Sequence, residues 1–453
     1  MHQALEAYRG GRQDSLRPSL STTHIPLANS IVLSAQDMQS FRYVPESLMV
    51  LRMGKPWRWS MLSYVHSRIA SKEAGVMRSF IAVASMELRF LEILKFQDAT
   101  PTLGSLARTR KLKEAATNYL HLALQDLSLI LDRVSGAQPQ PQDIEALFSI
   151  WFLILLVGLY DPELVSASHV HLNGIRSFLQ QYIDRSVADE RDNLPPVAQQ
   201  LLLFIAYHDV ILALGNMNGG HLSLDLLSAP AKSPIAYDQV FEQARRCLPK
   251  IWGSEYPVEE LLDDVENYRG LSFLTVCQKL KLSVWKLGVA AAQGSLVEES
   301  KARLWKRIEE TGEQFCDLLA LAKMAKNSNG RRVIWTVYHA CLDYYAVRVL
   351  YTCIDGEDPY PQWLQGTLSE LLAIAYKSTH ELPQQIYRYA WPLTVALMKV
   401  RDPIHKDWIK TQVRKAGVLF SNLGLPPALL DGSCALETMF LEYGQDNYLQ
   451  LSA

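Results

Sequence analysis

The sequence has no pair of cysteines close enough to form a metal-binding or redox motif. Six cysteines occur, each at least 12 residues from the next: Cys247, Cys277, Cys316, Cys341, Cys353 and Cys434. Thiolate zinc modules and thioredoxin-like pairs both need closely spaced cysteines, so neither has a basis here. Most of these cysteines lie in apolar stretches, which is typical of reduced core residues in an intracellular protein.

Neither positive nor negative charge is in excess, because the chain has 45 Lys and Arg and 47 Asp and Glu. The chain therefore lacks the broad basic surface of a dedicated nucleic-acid binder, and we expect no direct nucleic-acid binding. The first residues are polar where a signal peptide would be apolar, and the longest apolar run, 146–160, is short for a membrane span. We expect a cytoplasmic protein with no membrane span.

Strand-like alternation is nearly absent, and no nucleotide-binding, nucleophile-elbow or H-E-x-x-H motif occurs. Hydrophobic residues make up 49% of the chain and charged residues 20%, which suffices for a large core. The sequence therefore predicts an all-α fold, as one large helical domain or two tightly packed helical halves with a seam at 216–237. We expect a flexible N-terminal arm over 1–35, the helical domain over 36–440 and a C-terminal tail over 441–453.

Two capping signals predict where individual helices begin. Ser295 with Glu298 and Thr367 with Glu370 each fit the capping box, in which the side chains of the first and fourth residues bond to each other's backbone N–H. These pairs place helix starts near 296 and 368.

Five stretches, in this order along the chain, resemble a known family. They are FIAVASMEL (80–88), ALFSIWFLILLVGLYDPELVSASHVHLNGIRSFLQQ (146–181), FIAYHDVILAL (204–214), YHACLDYYAVRVLY (338–351) and YAWPLTVALMKVRDPIHKDWI (389–409). Together they resemble the helical regulatory region of fungal-specific transcription factors. In that family the region follows a six-cysteine binuclear zinc cluster, which this sequence does not contain.

The missing zinc cluster makes a second resemblance relevant. The chain is also similar to fungal sesquiterpene cyclases of the α-humulene synthase type, which are unlike ordinary terpene synthases and share this kind of helical scaffold. That resemblance implies Mg²⁺, a prenyl diphosphate substrate and an aromatic-lined cavity that shelters a carbocation. Because a fold does not determine function, the candidate site residues must distinguish between the two families.

An acidic segment is the candidate metal site, because magnesium-dependent cyclisation needs carboxylates that face a pocket. Asp263, Asp264 and Glu266 match a D-D-x-x-D/E pattern loosely, with Glu266 one position early. On a helix Asp263, Glu266 and Asn267 share one face, with Asp264 on its shoulder. The opposite face is apolar, so an ordinary amphipathic surface helix is the alternative.

The stretch 331–351 is apolar nearly all round and predicts a buried helix. His339 and Asp343, four residues apart, must then find internal partners or line a cleft, and Arg348 needs an anion. One hypothesis is that these groups are structural. The other assigns His339 and Asp343 to the catalytic site, with Asp343 near metal and Arg348 near phosphate.

A third segment supplies basic and aromatic candidates. Arg388 and Tyr389 resemble the Arg-Tyr pair with which many cyclases hold diphosphate, and Trp391 adds aromatic surface for a cation. Arg331 and Arg332 would lie at a helix start, where a bound anion or solvent would accept their charge. A purely structural role is the alternative for all of them.

The resulting hypothesis is a Mg²⁺-dependent type I sesquiterpene cyclase that converts farnesyl diphosphate to a macrocyclic hydrocarbon such as humulene, in fungal secondary metabolism. The alternative is a regulator or ligand sensor of a fungal biosynthetic gene cluster that lacks the zinc cluster and works in the nucleus. A small-molecule prenyl diphosphate is the expected partner of the enzyme, and a homodimer is left open.

Overall fold

The computed structural model describes residues 31–96, 100–136, 139–165, 167–189, 193–215, 218–354 and 360–416. All regular secondary structure in these residues is helical, so the predicted all-α fold is confirmed. Most of the predicted N-terminal arm and the whole C-terminal tail lie outside the described residues. The helices are α1 (Ala35–Tyr43), α2 (Leu48–Met53), α3 (Met61–Tyr64), α4 (Ala74–Lys95), α5 (Leu103–Val134), α6 (Pro141–Gly158), α7 (Pro162–Val165), α8 (Ser168–Asp189), α9 (Pro196–Leu214), α10 (His221–Ser228), α11 (Tyr237–Ala244), α12 (Cys247–Trp252), α13 (Val258–Ala292), α14 (Glu298–Gln314), α15 (Cys316–Met324), α16 (Arg332–Tyr351), α17 (Gln362–Glu381), α18 (Ile386–Lys399) and α19 (Pro403–Ala416).

The first of two hydrophobic cores is built by α1 to α12. The long helix α5 shows how the sequence specifies it: Leu112, Ala116, Leu120, Ala123 and Leu127 recur every three or four residues and are buried. This spacing gives one apolar stripe, which packs against α4 and α6. The other side of α5 is mostly polar and faces solvent, although Leu103, Leu106 and Leu129 are exposed.

Helices α6 and α9 are apolar on all sides, and each is long and apolar enough to cross a bilayer. In both, 78% of the most apolar window is buried inside the protein. Burial against neighbouring helices therefore accounts for their composition, as in the core helices of globular proteins.

The second core is organised around α16, which α13, α17 and α18 surround. The sequence predicted a buried helix over 331–351, and α16 is buried over most of its length. The 35-residue helix α13 connects the two cores, because Tyr268 and Leu271 pack against the first core and Phe273 and Leu280 lie in the second.

The predicted helix start near 296 is met within two residues and the one near 368 is wrong, and neither capping box forms. Helix α14 begins at Glu298 after Val297, and α17 begins at Gln362, so that Thr367 is a buried residue inside it. In α17 the helix extends a turn and a half further toward the N-terminus, because Leu364 packs into the second core. Tertiary burial overrode the local signal.

Candidate functional site

The predicted metal-binding carboxylates lie near the start of α13, where they contact cations. Asp264 Oδ1 accepts hydrogen bonds from Lys55 Nζ at 2.6 Å and from Arg332 Nη2 at 3.0 Å. Its other oxygen accepts from the Tyr256 hydroxyl, and Asp263 accepts from Arg332 Nε. One arginine and one lysine therefore neutralise the two aspartates.

The two remaining candidates of this segment are also engaged. Arg331 Nη2 donates to Glu266 Oε1 at 2.8 Å, so Arg331 and Arg332 both bind carboxylates of α13. Asn267 is fully buried and accepts a hydrogen bond from the Thr336 hydroxyl at 2.5 Å. The contacts made by these residues join α13 to α16.

The oxygens of this acidic segment do not fit a magnesium ion as the structure has them. Mg²⁺ is bound by one or two carboxylates together with water or phosphate oxygens. Here an incoming ion would first have to displace Arg332 and Lys55 from Asp264. Among the described residues no group of three or more His, Cys, Asp or Glu side chains is placed to hold a metal.

The orientation of this helix is opposite to that of an ordinary surface helix. The amphipathic alternative implies that the carboxylates face solvent and the apolar residues face the core. Instead Asp263 and Asp264 contact Arg332 and are only partly exposed, whereas Leu262 and Val265 are 59% and 65% exposed.

Other predicted residues meet between the two cores. His339 of α16 accepts a hydrogen bond at Nδ1 from Arg388 Nη2 of α18, at 3.2 Å. Because a guanidinium can only donate, Nδ1 is unprotonated and a neutral His339 carries its proton on Nε2. Burial first, and then the charges of Arg388, Lys281 and Arg52, lower the pKa of His339 well below its ordinary value. His339 is therefore neutral at physiological pH, and Nε2–H is a donor.

Asp343, one turn beyond His339 on α16, forms a buried ion pair. Its Oδ2 accepts from Lys281 Nζ at 2.6 Å and from Gln278 Nε2 at 2.9 Å, and both Asp343 and Lys281 are nearly inaccessible. Burial raises the pKa of Asp343, while Lys281 and Gln278 favour its charged form. The Oε1 atom of Gln278 is buried and accepts no hydrogen bond from any described residue.

Arg52, at the end of α2, is a cation of the same region. Burial lowers the pKa of its guanidinium, and the pKa values of His339 and His208 both respond to its charge. Arg52 forms no hydrogen bond or ion pair with any described residue, although Glu87 and Tyr160 act on it electrostatically. An interior guanidinium without a bonded anion is unusual, because charged groups inside proteins are normally paired.

We call Arg52, Lys281, His339, Asp343 and Arg388 the interior cationic cluster. It contains three cations and one carboxylate. Arg52, His339 and Arg388 keep accessible surface, whereas the residues one turn away from His339 on α16 are buried. These three side chains are therefore not fully enclosed by the surrounding helices.

Gly54 makes room for Arg388 in this cluster. Its φ of +73° ends α2 in the left-handed region that glycine adopts without strain. A Cβ atom at this position would lie 3.2 Å from Arg388 Nη2. The bare glycine thus allows the guanidinium to approach the backbone beside His339.

Aromatic side chains border the cluster. Lys281 Nζ lies 3.9 Å from the ring centre of Trp391, a cation–π contact. Tyr389 is fully buried, its hydroxyl accepts a hydrogen bond from Ser378 at 2.8 Å, and its ring centre lies 6.1 Å from that of His339. These two predicted residues are therefore close to His339 and Lys281.

An apolar groove of about 600 Å³ adjoins the same helices. Leu48 from α2 and Ile386 and Tyr387 from α18 are among the residues that line it. These are the two helices that carry Arg52 and Arg388.

Arg348 lies apart from the interior cationic cluster. It pairs with Glu309 at 3.2 Å, and its guanidinium lies 5.0 Å from the ring centre of Trp363 and 5.4 Å from that of Trp305. The sequence required an anion for Arg348, and Glu309 supplies it. A phosphate role has no geometric support at this position.

Arg52, Lys281 and Gln278 are not among the residues predicted from the sequence. A single arginine in the apolar stretch 48–53 is the one signal that could have indicated Arg52. Lys281 and Gln278 lie among apolar residues of α13, where a polar group needs a partner.

Comparison with family models, with curated proteins and with solved structures finds no match. The resemblance to the two fungal families therefore stays a prediction from residue patterns, and the site has to be interpreted from its own geometry.

Proposed function

We propose that the interior cationic cluster binds the diphosphate of a prenyl substrate, and that the protein is a sesquiterpene cyclase acting on farnesyl diphosphate. The observation that supports this most is Arg52, a partly exposed guanidinium between the helices that has no bonded anion among the described residues. Arg388 and Lys281 lie near enough to act on the same histidine. An anionic diphosphate matches this excess of cations.

The chemistry follows from charge placement. The bond between C1 of the substrate and the diphosphate oxygen breaks, and its electron pair leaves with the diphosphate. Arg52, Arg388 and the His339 Nε2–H stabilise the negative charge that develops there. The allylic cation is attacked by the π electrons of a distal double bond, which closes the ring. Loss of a proton to the bound diphosphate gives the macrocyclic hydrocarbon.

The hydrocarbon part of the substrate and its cation need apolar and aromatic surroundings. The ring of Trp391 borders the cluster through its contact with Lys281, and Tyr389 is buried beside His339. The apolar groove beside α2 and α18 offers room for the hydrocarbon chain. The neutral state of His339 avoids a further positive charge next to the cation.

A magnesium ion at the cluster would have to displace Lys281 from Asp343, just as an ion at the acidic segment would have to displace Arg332 and Lys55 from Asp264. Asp343 together with the unpartnered Gln278 Oε1 would hold one ion, with diphosphate oxygens and water completing its shell. When bound, the ion would neutralise charge on the leaving diphosphate.

The test is incubation of the purified protein with farnesyl diphosphate, with Mg²⁺ or with EDTA, followed by hydrocarbon analysis and measurement of released diphosphate. We expect product with Mg²⁺ only. Asp343→Asn should lose most of it, whereas Asp263→Asn should keep its turnover per folded molecule. Absence of both hydrocarbon and diphosphate release in the wild type would contradict the enzyme proposal.

A ligand sensor is the second candidate. It is favoured by the bond that Lys281 already makes to Asp343, because a site that only binds an anion needs no free carboxylate. Binding of inorganic pyrophosphate without any turnover of farnesyl diphosphate would support this alternative.

A further inference from the structure

The apolar groove beside α2 and α18 lies between the two cores and is open to solvent. Tyr43 lines it from the first core, and Ile386 and Trp408 line it from the second. Tyr376 of α17 also lines it, with a ring centre 6.0 Å from that of Trp408, and is 58% exposed. Open apolar surface of this kind marks a site where further chain or a partner binds.

The described chain ends at this groove. Trp408, Gln412 and Lys415 of α19 all contribute to its lining, and Ala416 is the last residue of that helix. Residues 417–453, which the structure does not describe, therefore begin beside the groove. An extended chain spans about 3.3 Å per residue, so a stretch that starts at residue 435 can reach any part of the groove.

The stretch 435–443 (ALETMFLEY) has the pattern of an amphipathic helix. Its apolar residues recur at spacings of three and four and share one helix face: Ala435, Leu436, Met439, Phe440 and Tyr443. Glu437 and Leu441 fall on the opposite side. Helices of this kind bind in apolar grooves through their apolar face.

The charge of the segment beyond α19 complements that of α19 itself. Residues 417–453 contain four Asp and Glu and no Lys, Arg or His. Helix α19 contains four Lys and Arg and one Asp, and none of its Lys or Arg side chains forms an ion pair with a described carboxylate. When Glu46, the acidic residue that lines the groove, is counted as well, positive charge stays in excess.

A buried acceptor beside the groove requires a polar occupant. Gln384 lines the groove, and its Oε1 atom is inaccessible to solvent and accepts no hydrogen bond from any described residue. Buried polar atoms are normally hydrogen-bonded, so a donor from outside the described residues is required. A polypeptide segment offers backbone N–H groups and, here, the Tyr443 hydroxyl, whereas a hydrocarbon offers no donor.

We propose that residues 435–443 form a helix that lies across the groove, with its apolar face against Tyr376 and Trp408. This docking does not depend on the proposed cyclase activity, because it follows from the groove, the end of α19 and the composition of the segment. In a cyclase the same helix would cover a hydrocarbon chain bound beside the buried Leu48, and so keep water from it.

The first experiment joins the segment to the groove in the full chain with a short bismaleimide cross-linker. Cys434 directly precedes the proposed helix, and the exposed Cys316 is replaced by Ser. Tyr376→Cys and Gln412→Cys, each in this background, should form an intramolecular link to Cys434. The control is Leu129→Cys, since Leu129 is 60% exposed on α5 and does not line the groove. Links from neither groove position, or links only between two molecules, overturn the proposal.

The second experiment is hydrogen exchange, which needs no cross-link. In the wild type the backbone amides of 435–443 should exchange about tenfold or more slowly than those of an unfolded chain. Phe440→Asp should abolish this protection, whereas the matched control Leu441→Asp, on the opposite helix face, should retain it. Unprotected amides in the wild type, or an equal loss of protection in both variants, would contradict the docked helix.

Discussion

Arg52→Met is expected to make the ligand-free protein more stable, which is the reverse of most substitutions. Methionine has a similar length and carries no charge. It therefore removes the desolvation cost of a guanidinium to which no described anion is bonded. An unsatisfied buried polar group costs ~1–3 kcal/mol, and more when it is charged. Because Arg52 keeps some accessible surface, we expect a gain in the free energy of unfolding of about 1–2 kcal/mol.

Urea unfolding with circular dichroism and fluorescence measures this effect as a shift of the midpoint at constant slope. The matched control is Arg58→Met on the same segment. Arg58 is exposed and rests on Trp59 at 5.3 Å from the ring centre, so its loss should change stability by less than about 0.5 kcal/mol.

The same substitution should also reduce the stabilisation of the protein by a bound anion. Inorganic pyrophosphate at a hundred times its dissociation constant should stabilise the wild type by about 2.7 kcal/mol. It should stabilise Arg52→Met far less. A less stable Arg52→Met that still responds fully to pyrophosphate would refute the interpretation of Arg52 as a ligand-binding cation.

Three further predictions use other parts of the structure. Gly54→Ala should weaken pyrophosphate binding measured by calorimetry, because the new Cβ atom would contact Arg388. The control is Gly294→Ala, which has a similar φ of +67° but open space around it. It should add the same backbone strain and leave pyrophosphate binding unchanged. His66→Phe should remove an acid sensitivity. Burial lowers the pKa of His66 to about 4, so the free energy of unfolding falls as the pH drops below 6.5. Urea unfolding measured at several pH values should show a loss of about 1.4 kcal/mol at pH 5.5 in the wild type and none from this residue in His66→Phe. Arg332→Met should cost about 1–2 kcal/mol in the same assay, since the carboxylates it pairs with are only partly screened by water, and raising the salt concentration should reduce that loss.

The sequence predicted which residues of α13 share a face, but not which face turns inward. Helical periodicity groups Asp263 with Glu266 and Asn267, and that grouping holds. The orientation depends on Lys55 and Arg332, which are distant in sequence and come from other elements. Apolar periodicity alone assigns the wrong side to the core, because it does not count ion pairs.

The burial of helix α16, in contrast, was predictable from the sequence. Its apolar residues cover all sides, so any packing buries it, and His339 and Asp343 had to find partners. The identity of those partners was not predictable, because Arg388 and Lys281 lie on helices whose relative positions no local pattern fixes.

The most direct test of the interior cationic cluster is a crystal structure of the protein with inorganic pyrophosphate and Mn²⁺. The anion should lie between Arg52, Arg388 and Lys281, with an anomalous manganese peak at Asp343. Pyrophosphate bound at Arg331, with the manganese peak at Asp263 and Asp264, would contradict the assignment.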